Sequence, residues 1–433
     1  MTRRPVFRST EFQLLVAPSL LAIVGLLTIF LVPRGDVNWR WADVWVSLAF
    51  VGLSYGLSVS FGLLGFRGDQ VLLPLAMALA GFGLLVVQRL HAPLAARDAA
   101  YANLAQRHLI YLAAGLVVLW GTVVFVRRLD WLRRYKYTWL LLSLALLGLT
   151  FFIGEETYGA RLWIRLGPIQ AQPSEIAKIT LVTFLAGYLD DKRELVGSSW
   201  RVGPLRLPPV PYLLPMALMG AASLAVLVVQ NDLGSALLFF GVFLAMLYVA
   251  SGRFVYVIVG SVAFAGACWA AYRLFNRIGI RVQNWLDPWR DPLDTGYQQI
   301  QSDYALASGG LLGVGLGKGE PFRIPAVQTD FVFSAIGEEL GLLGTLGVLA
   351  LYLLLVMRAF AIGLRIRDGF ARLVAVGLGS ILGLQTLIIL GGVVRLIPLT
   401  GITLPFVSYG GSSLLTNFLI VGLLLRVSAV ERS

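Results

Sequence analysis

The chain has 433 residues, 58% of them hydrophobic and only 13% charged, with a formal net charge of +12. Soluble domains run about 45–50% apolar and about 25% charged, so a soluble globular class is excluded. With no basic soluble segment, nucleic-acid binding is excluded as well, and the positive charge reads as membrane topology and contact with anionic lipid.

The apolar residues fall into twelve blocks of spanning length, near 12–32, 43–65, 71–89, 108–126, 137–153, 174–189, 212–229, 235–250, 254–276, 331–357, 374–396 and 413–428. Continuous apolar runs exclude an alternating β-barrel. The predicted fold class is therefore all-α, a polytopic helical membrane protein. The first block follows a basic tail (Arg3, Arg4, Arg8) and is too long for a signal-peptide core, so it predicts a retained helix. The single cysteine, Cys268, precludes an internal disulfide. The two histidines, His91 and His108, read as ordinary interfacial residues rather than as zinc ligands or a general base.

Placing the N-terminus in the cytoplasm puts the densest cationic loops (127–136, 192–201 and 358–372) on the same side. By the positive-inside rule this predicts both termini inside. The unusual polar segments 154–175, 230–234, 277–330 and 398–413 then lie outside. The connection 277–330 far exceeds an ordinary loop and reads as functional.

The motifs follow in chain order. "GARLWIRLG" (159–167) carries Arg161 and Trp163, either an interfacial belt with loop arginines or a grip on an anion. "QAQPSEIAK" (170–178) reads as a helix start with Ser174 as N-cap. Glu175 and Lys178 share one helix face there, and a lysine at membrane depth is a functional candidate by default. "QNDLGS" (230–235) suits a tight turn, with Asp232 weighted toward structure. The long connection ends in "GGLLGVGLGKG" (309–319), which fails the phosphate-loop pattern. Its glycines suggest a hinge or a close backbone approach to a ligand, and Lys318 and Arg323 suit an anionic head group.

"IPAVQTDFVFSAIGEELG" (324–341) enters the tenth block with Thr329 or Asp330 placed to cap the helix. Glu338 lies roughly 12 Å deeper than Asp330 at the helical rise per residue. Glu338 and Glu339 therefore read as buried structural residues. "PLTGITLPFVSYGGSSLLTN" (398–417), with Ser408, Tyr409, Gly410 and Gly411, interrupts what would be helix. Irregular backbone near membrane depth needs protein or a polar cavity against it. With Arg395 just before it, the segment predicts a wall of a polar site.

Together these motifs resemble the SEDS family (RodA/FtsW/SpoVE), leaning toward its RodA-like members, in order and spacing from about residue 110 to the end. The resemblance implies a ten-helix bundle of glycosyltransferases that polymerise lipid II into peptidoglycan. Here two extra N-terminal helices precede the core, giving segments 1–107 and 108–433 with an extracytoplasmic loop at 277–330. It implies Asp330 as catalytic base and Glu175 and Lys178 as cavity-lining residues. Arg161, Trp163 and Asp232 match sensitive motif positions. It also implies a class B penicillin-binding protein as partner and a multi-pass bacterial cytoplasmic-membrane location with an outward-facing site. Arg161, Lys178, Lys318, Arg323 and Arg395 are candidates for steadying a pyrophosphate leaving group. A divalent cation (Mg or Mn) is a further candidate; no organic cofactor is expected. A lipid II flippase and a non-catalytic scaffold for a transpeptidase are the competing readings.

Overall fold

The computed structural model describes residues 5–32, 44–126, 128–157, 160–166, 169–192, 200–202, 205–207 and 232–430. In chain order the helices are α1 (Ser9–Leu14), α2 (Val16–Leu31), α3 (Val44–Leu63), α4 (Leu72–Arg97), α5 (Leu104–Phe125), α6 (Asp130–Arg134), α7 (Lys136–Ile153) and α8 (Pro173–Asp191). Then come α9 (Leu233–Ser251), α10 (Phe254–Leu274), α11 (Asn276–Leu286), α12 (Tyr297–Gly309), α13 (Val332–Arg365), α14 (Gly369–Val393) and α15 (Gly411–Val430). Ten spans among them, with α1 and α2 forming one, are long and apolar enough to cross a membrane. The predicted polytopic helical fold is the observed one.

Helix α8 is the sixth predicted block and the least apolar. It tolerates Glu175 and Lys178 because protein, not lipid, surrounds it: nearly every residue from Pro173 to Leu189 is buried. The predicted block at 212–229 and Asn231 lie outside the described residues.

α5 packs along α15, α13 along α14, and α7 along α8, with α14 also against α9. By contrast α7 and α10 bury little of their apolar surface within the chain, which marks them as lipid-facing. The segment read as an outer loop at 154–175 instead holds a three-stranded antiparallel sheet. It comprises β1 (Glu155–Thr157), β2 (Ala160–Leu166) and β3 (Ile169–Ala171), in the order β1-β2-β3. A second hairpin pairs β4 (Trp200–Val202) with β5 (Leu205–Leu207).

Two buried polar knots hold the bundle. At one end Arg8, 3% exposed, is bidentate to Glu11 and donates to the carbonyls of Phe66 and Asp69. Asp69 in turn pairs with Arg358 at 2.6 Å, and its N–H donates to Ser428 Oγ. This knot ties the N-terminal helices to the ends of α13 and α15. So Arg8 is a buried strut as well as part of a basic tail.

The second knot lies where α13 breaks. Gly341 has φ 66° and ψ −164°, which only glycine adopts readily. A broken helix in a membrane leaves backbone groups that must find partners. The glycine-rich loop supplies them. Leu342 N donates to Gly310 O and Leu343 N to Leu311 O, while Val314 N and Gly315 N donate to the carbonyls of Glu338 and Glu339. A Cβ on Gly313 would stand 2.2 Å from Glu339 O, so the close backbone approach predicted for this loop is made to α13.

Candidate active site

The site is built where the turn before α13 meets the irregular segment before α15. Thr329 N and Asp330 N both donate to Ala326 O at 3.1 Å, closing a turn whose Ala326 takes φ 53°. Ser408 Oγ donates to Thr329 O at 2.5 Å and accepts from Leu404 N at 2.9 Å. Tyr409 N donates to Gln328 O at 2.8 Å. The segment 404–409 is thus stitched onto 328–329, with Phe406 held at φ 66°. Left-handed conformations in non-glycine residues cost about 1–3 kcal/mol each and persist where surrounding structure over-determines them.

Neither Thr329 nor Asp330 caps α13. The N-cap position is Phe331, with no side-chain cap. The carboxyl is free of that duty. As a whole the residue is only half-buried, but its carboxyl is enclosed by protein. Burial pushes the carboxyl up from 3.8 to about 6, against smaller opposing effects of the Thr329 hydroxyl and the Arg281 guanidinium.

Deeper in, Lys178 Nζ meets Glu175 Oε2 at 2.5 Å and donates to Gln385 Oε1 at 2.9 Å. Gln385 Nε2 donates to Thr403 O at 2.8 Å, Thr403 Oγ1 to Ser413 Oγ at 2.7 Å, and Asn417 Nδ2 to the same Ser413 oxygen at 3.2 Å. A continuous polar chain therefore runs from α8 through α14 to the 398–410 segment and α15. Ser174 does not cap α8. The N-cap is Gln172, without a side-chain cap, and its N–H donates to Ser412 Oγ instead. Replacing Gln385 by leucine strands the Thr403 carbonyl and one Lys178 proton. The expected loss is about 1–3 kcal/mol, read as a lower unfolding midpoint in detergent together with reduced turnover.

The other candidates divide. Asp232 caps α9, accepting from Ser235 N at 3.0 Å and Ser235 Oγ at 2.5 Å. It stands just behind the site, since a Cβ on Gly234 would meet Ile402 Cγ2 at 2.4 Å. Tyr409 turns its ring toward His108 and Tyr111, with centroids 6.0 and 6.1 Å away. His108 is fully buried in α5, which corrects its reading as an interfacial residue. Gly411 packs on the Tyr111 ring and Gly410 against Thr403.

Arg395 faces away from this mouth. It pairs with Asp303 at 3.2 Å and donates to Trp285 O at 2.9 Å, while Trp285 Nε1 donates back to Arg395 O. It is a strut between α11 and α12, not a wall of the site. Arg323 is exposed and paired with Glu320 at 2.5 Å; Lys318 is exposed on the glycine-rich loop. Trp163 is half-buried in β2 opposite Glu155. The Arg161 backbone belongs to β2, while its side chain lies outside the described residues.

Glu338 and Glu339 are buried and bonded to the glycine-rich loop and α4. Glu320 N donates to Glu338 Oε1 at 2.6 Å, Gly317 N donates to Glu339 Oε2 at 3.1 Å, and Arg89 Nε pairs with Glu339 Oε1 at 2.8 Å. Sequence reasoning missed Arg89, Gln385 and Arg281. A glutamine within the apolar block 374–396 was itself a signal. Among the described residues no three His, Cys, Asp or Glu side chains cluster to hold a metal.

A polytopic membrane protein with an enclosed carboxylate at a loop-built mouth and an ion pair within the bundle defines the class. Residues 69–433 match the model of the FtsW/RodA/SpoVE family, described as cell cycle proteins; the chain belongs to that family. Peptidoglycan glycosyltransferase RodA of Mycobacterium tuberculosis is 36% identical over 428 residues, covering 98% of this chain and 91% of that protein. The probable peptidoglycan glycosyltransferase FtsW of Geobacter metallireducens is 38% identical over 371 residues, covering 84% and 95%. Among solved structures, a chain of a peptidoglycan synthase complex shares 34% identity at a TM-score of 0.67, covering 84% of this chain and 98% of its own. RodA of Thermus thermophilus shares 30% at 0.59, covering 84% and 97%.

Proposed function

We propose that this chain is a peptidoglycan glycosyltransferase that polymerises lipid II into glycan strands at the outer face of a bacterial cytoplasmic membrane. The observation that carries the reading is Asp330, a carboxyl held near a pKa of 6 at the mouth of the bundle. The names of its curated relatives agree with it.

A carboxylate of that basicity suits general-base catalysis near neutral pH. Asp330 takes the proton of an acceptor sugar hydroxyl. The freed oxygen bonds to the anomeric carbon of the donor, the bond from that carbon to the polyprenyl pyrophosphate breaks, and the electron pair leaves with the pyrophosphate. One base with inversion suffices, since the leaving group needs positive charge rather than a second carboxylic acid. A class B penicillin-binding protein is the proposed transpeptidase partner.

Purified protein given lipid II in detergent tests the reading. Glycan polymer is expected from the wild type and is lost in Asp330→Ala; lipid scrambling in vesicles without polymer would favour a flippase instead. Because Asp330 must be ionised, kcat/KM is expected to fall as pH drops through about 6. A profile flat from pH 5 to 8 would contradict the assignment.

A further inference from the structure

Asp330 shares its mouth with a second charged group. Arg281, half-buried on α11, donates from Nη1 to Thr400 O at 3.2 Å. The next residue, Gly401, has φ 75°, and a Cβ there would stand 3.7 Å from Arg281 Nη2 and 3.8 Å from Asp330 Oδ2. Both charged groups are therefore contact neighbours of one point, and only glycine leaves that point without a side chain. Arg281 acts on Asp330 through charge rather than through a hydrogen bond.

We propose that Arg281, Asp330 and Gly401 form the subsite for the acceptor hydroxyl, whose oxygen accepts from Arg281 Nη2 and donates its proton to Asp330 Oδ2. The proposal rests on the glycosyltransferase reading. One oxygen seated between the two groups would take a charge-assisted hydrogen bond of about 2.5–2.9 Å on each side. As the proton passes to Asp330 and the new bond to the anomeric carbon forms, negative charge grows on that oxygen. A guanidinium already in place stabilises it at no reorganisation cost. A phosphate oxygen is a poor occupant, because it would face the Asp330 carboxylate at contact distance.

The groups around Asp330 favour this assignment. Thr329 of its own turn offers a hydroxyl, and Arg281 of α11 is the charged group acting on it. From the 398–410 segment it meets the backbone at Gly401, while Tyr409 turns to His108 and Tyr111.

The test measures polymerisation of the lipid-linked disaccharide from pH 5 to 9. Wild type and Asp330→Asn come first: an inactive wild type sinks the glycosyltransferase reading itself. Given an active wild type, Arg281→Gln removes the charge and keeps a polar side chain. It should move the acid limb of the profile upward by about half to one pH unit, since the cation that favours ionised Asp330 is gone. At pH 8, with Asp330 ionised, the rate should still fall about tenfold or more. Arg281→Lys should return the limb to its wild-type position. A limb unmoved in Arg281→Gln overturns the proposal, because a merely structural arginine would change rate without changing the pH dependence. If Arg281→Gln does not fold, a limb displaced in Arg281→Lys overturns it equally.

Discussion

Asp330→Asn is expected to lower glycan polymerisation by about a hundred- to ten-thousand-fold, the range that positioned proton transfer contributes, with little change in thermal stability. The two halves of that expectation come from the same geometry. The carboxyl caps no helix, since Phe331 occupies the N-cap and Asp330 is anchored through its backbone N–H to Ala326 O. Asparagine preserves the backbone anchor and the size of the side chain while removing the base. Gel-resolved polymer length and a detergent melting curve measure the two quantities separately. A variant that loses activity and stability together would mean that Asp330 is a structural carboxylate. Ser408→Ala, which removes the hydrogen bond to Thr329 O, should instead reduce both.

The largest stability effect is expected at the buried pair Arg89–Glu339, whose side chains are 1% and 4% exposed. Arg89→Met leaves in a low-dielectric interior a carboxylate that has lost its cation, although Gly317 N still donates to it at 3.1 Å. It also withdraws the donor that Gly319 O accepts at 2.9 Å. Breaking a buried pair from one side costs roughly 3–5 kcal/mol, whereas replacing both partners by apolar residues of similar volume is often close to neutral. The double variant Arg89→Met with Glu339→Leu should therefore be more stable than Arg89→Met alone, as read from unfolding midpoints in detergent. If the double variant is the worse of the two, the pair does more than neutralise itself, and the hydrogen bonds to the glycine-rich loop dominate.

The helices were legible because membrane burial writes itself into sequence as runs of apolar residues. The tenth block ended at 357 in the sequence reading but α13 continues to Arg365, since a helix does not stop where hydropathy does. Caps were less legible. Ser174 and Asp330 have the right chemistry one or two residues from a helix start, yet the helices begin after Gln172, whose N–H bonds to distant Ser412, and after Phe331, which follows the turn at Ala326. The sheet at 155–171 had a signal that went unread: between Arg161 and Leu166 the aliphatic residues Leu162, Ile164 and Leu166 recur at period two, with Arg161, Trp163 and Arg165 on the other face, as in a strand.

Asp330 could be found because a carboxylate beside an apolar run stands out. Arg281 could not. It is one arginine in a long connection, and its meaning comes from Gly401, 120 positions later, lying between it and Asp330. Arg395 shows the converse. Proximity in sequence to the 398–410 segment suggested a substrate contact, while the left-handed backbone at Arg395, φ 59°, sends its side chain to Asp303 and Trp285.

The break at Gly341 divides α13 into a short upper piece and a long lower shaft. The upper piece, from Val332 to Leu340, is almost wholly buried, and the shaft exposes Leu342, Leu343, Leu346, Leu349, Leu353, Leu354 and Met357. Those leucines meet the lipid, whose thickness and lateral pressure vary. An unbroken helix would act as a lever, carrying every tilt of the shaft up to the turn that holds Asp330. With the rod cut at Gly341, the 309–319 loop takes up both sides of the break, through the Glu338 and Glu339 carbonyls above it and the Leu342 and Leu343 N–H groups below, so the piece that follows Asp330 is held by that loop and not by the shaft alone.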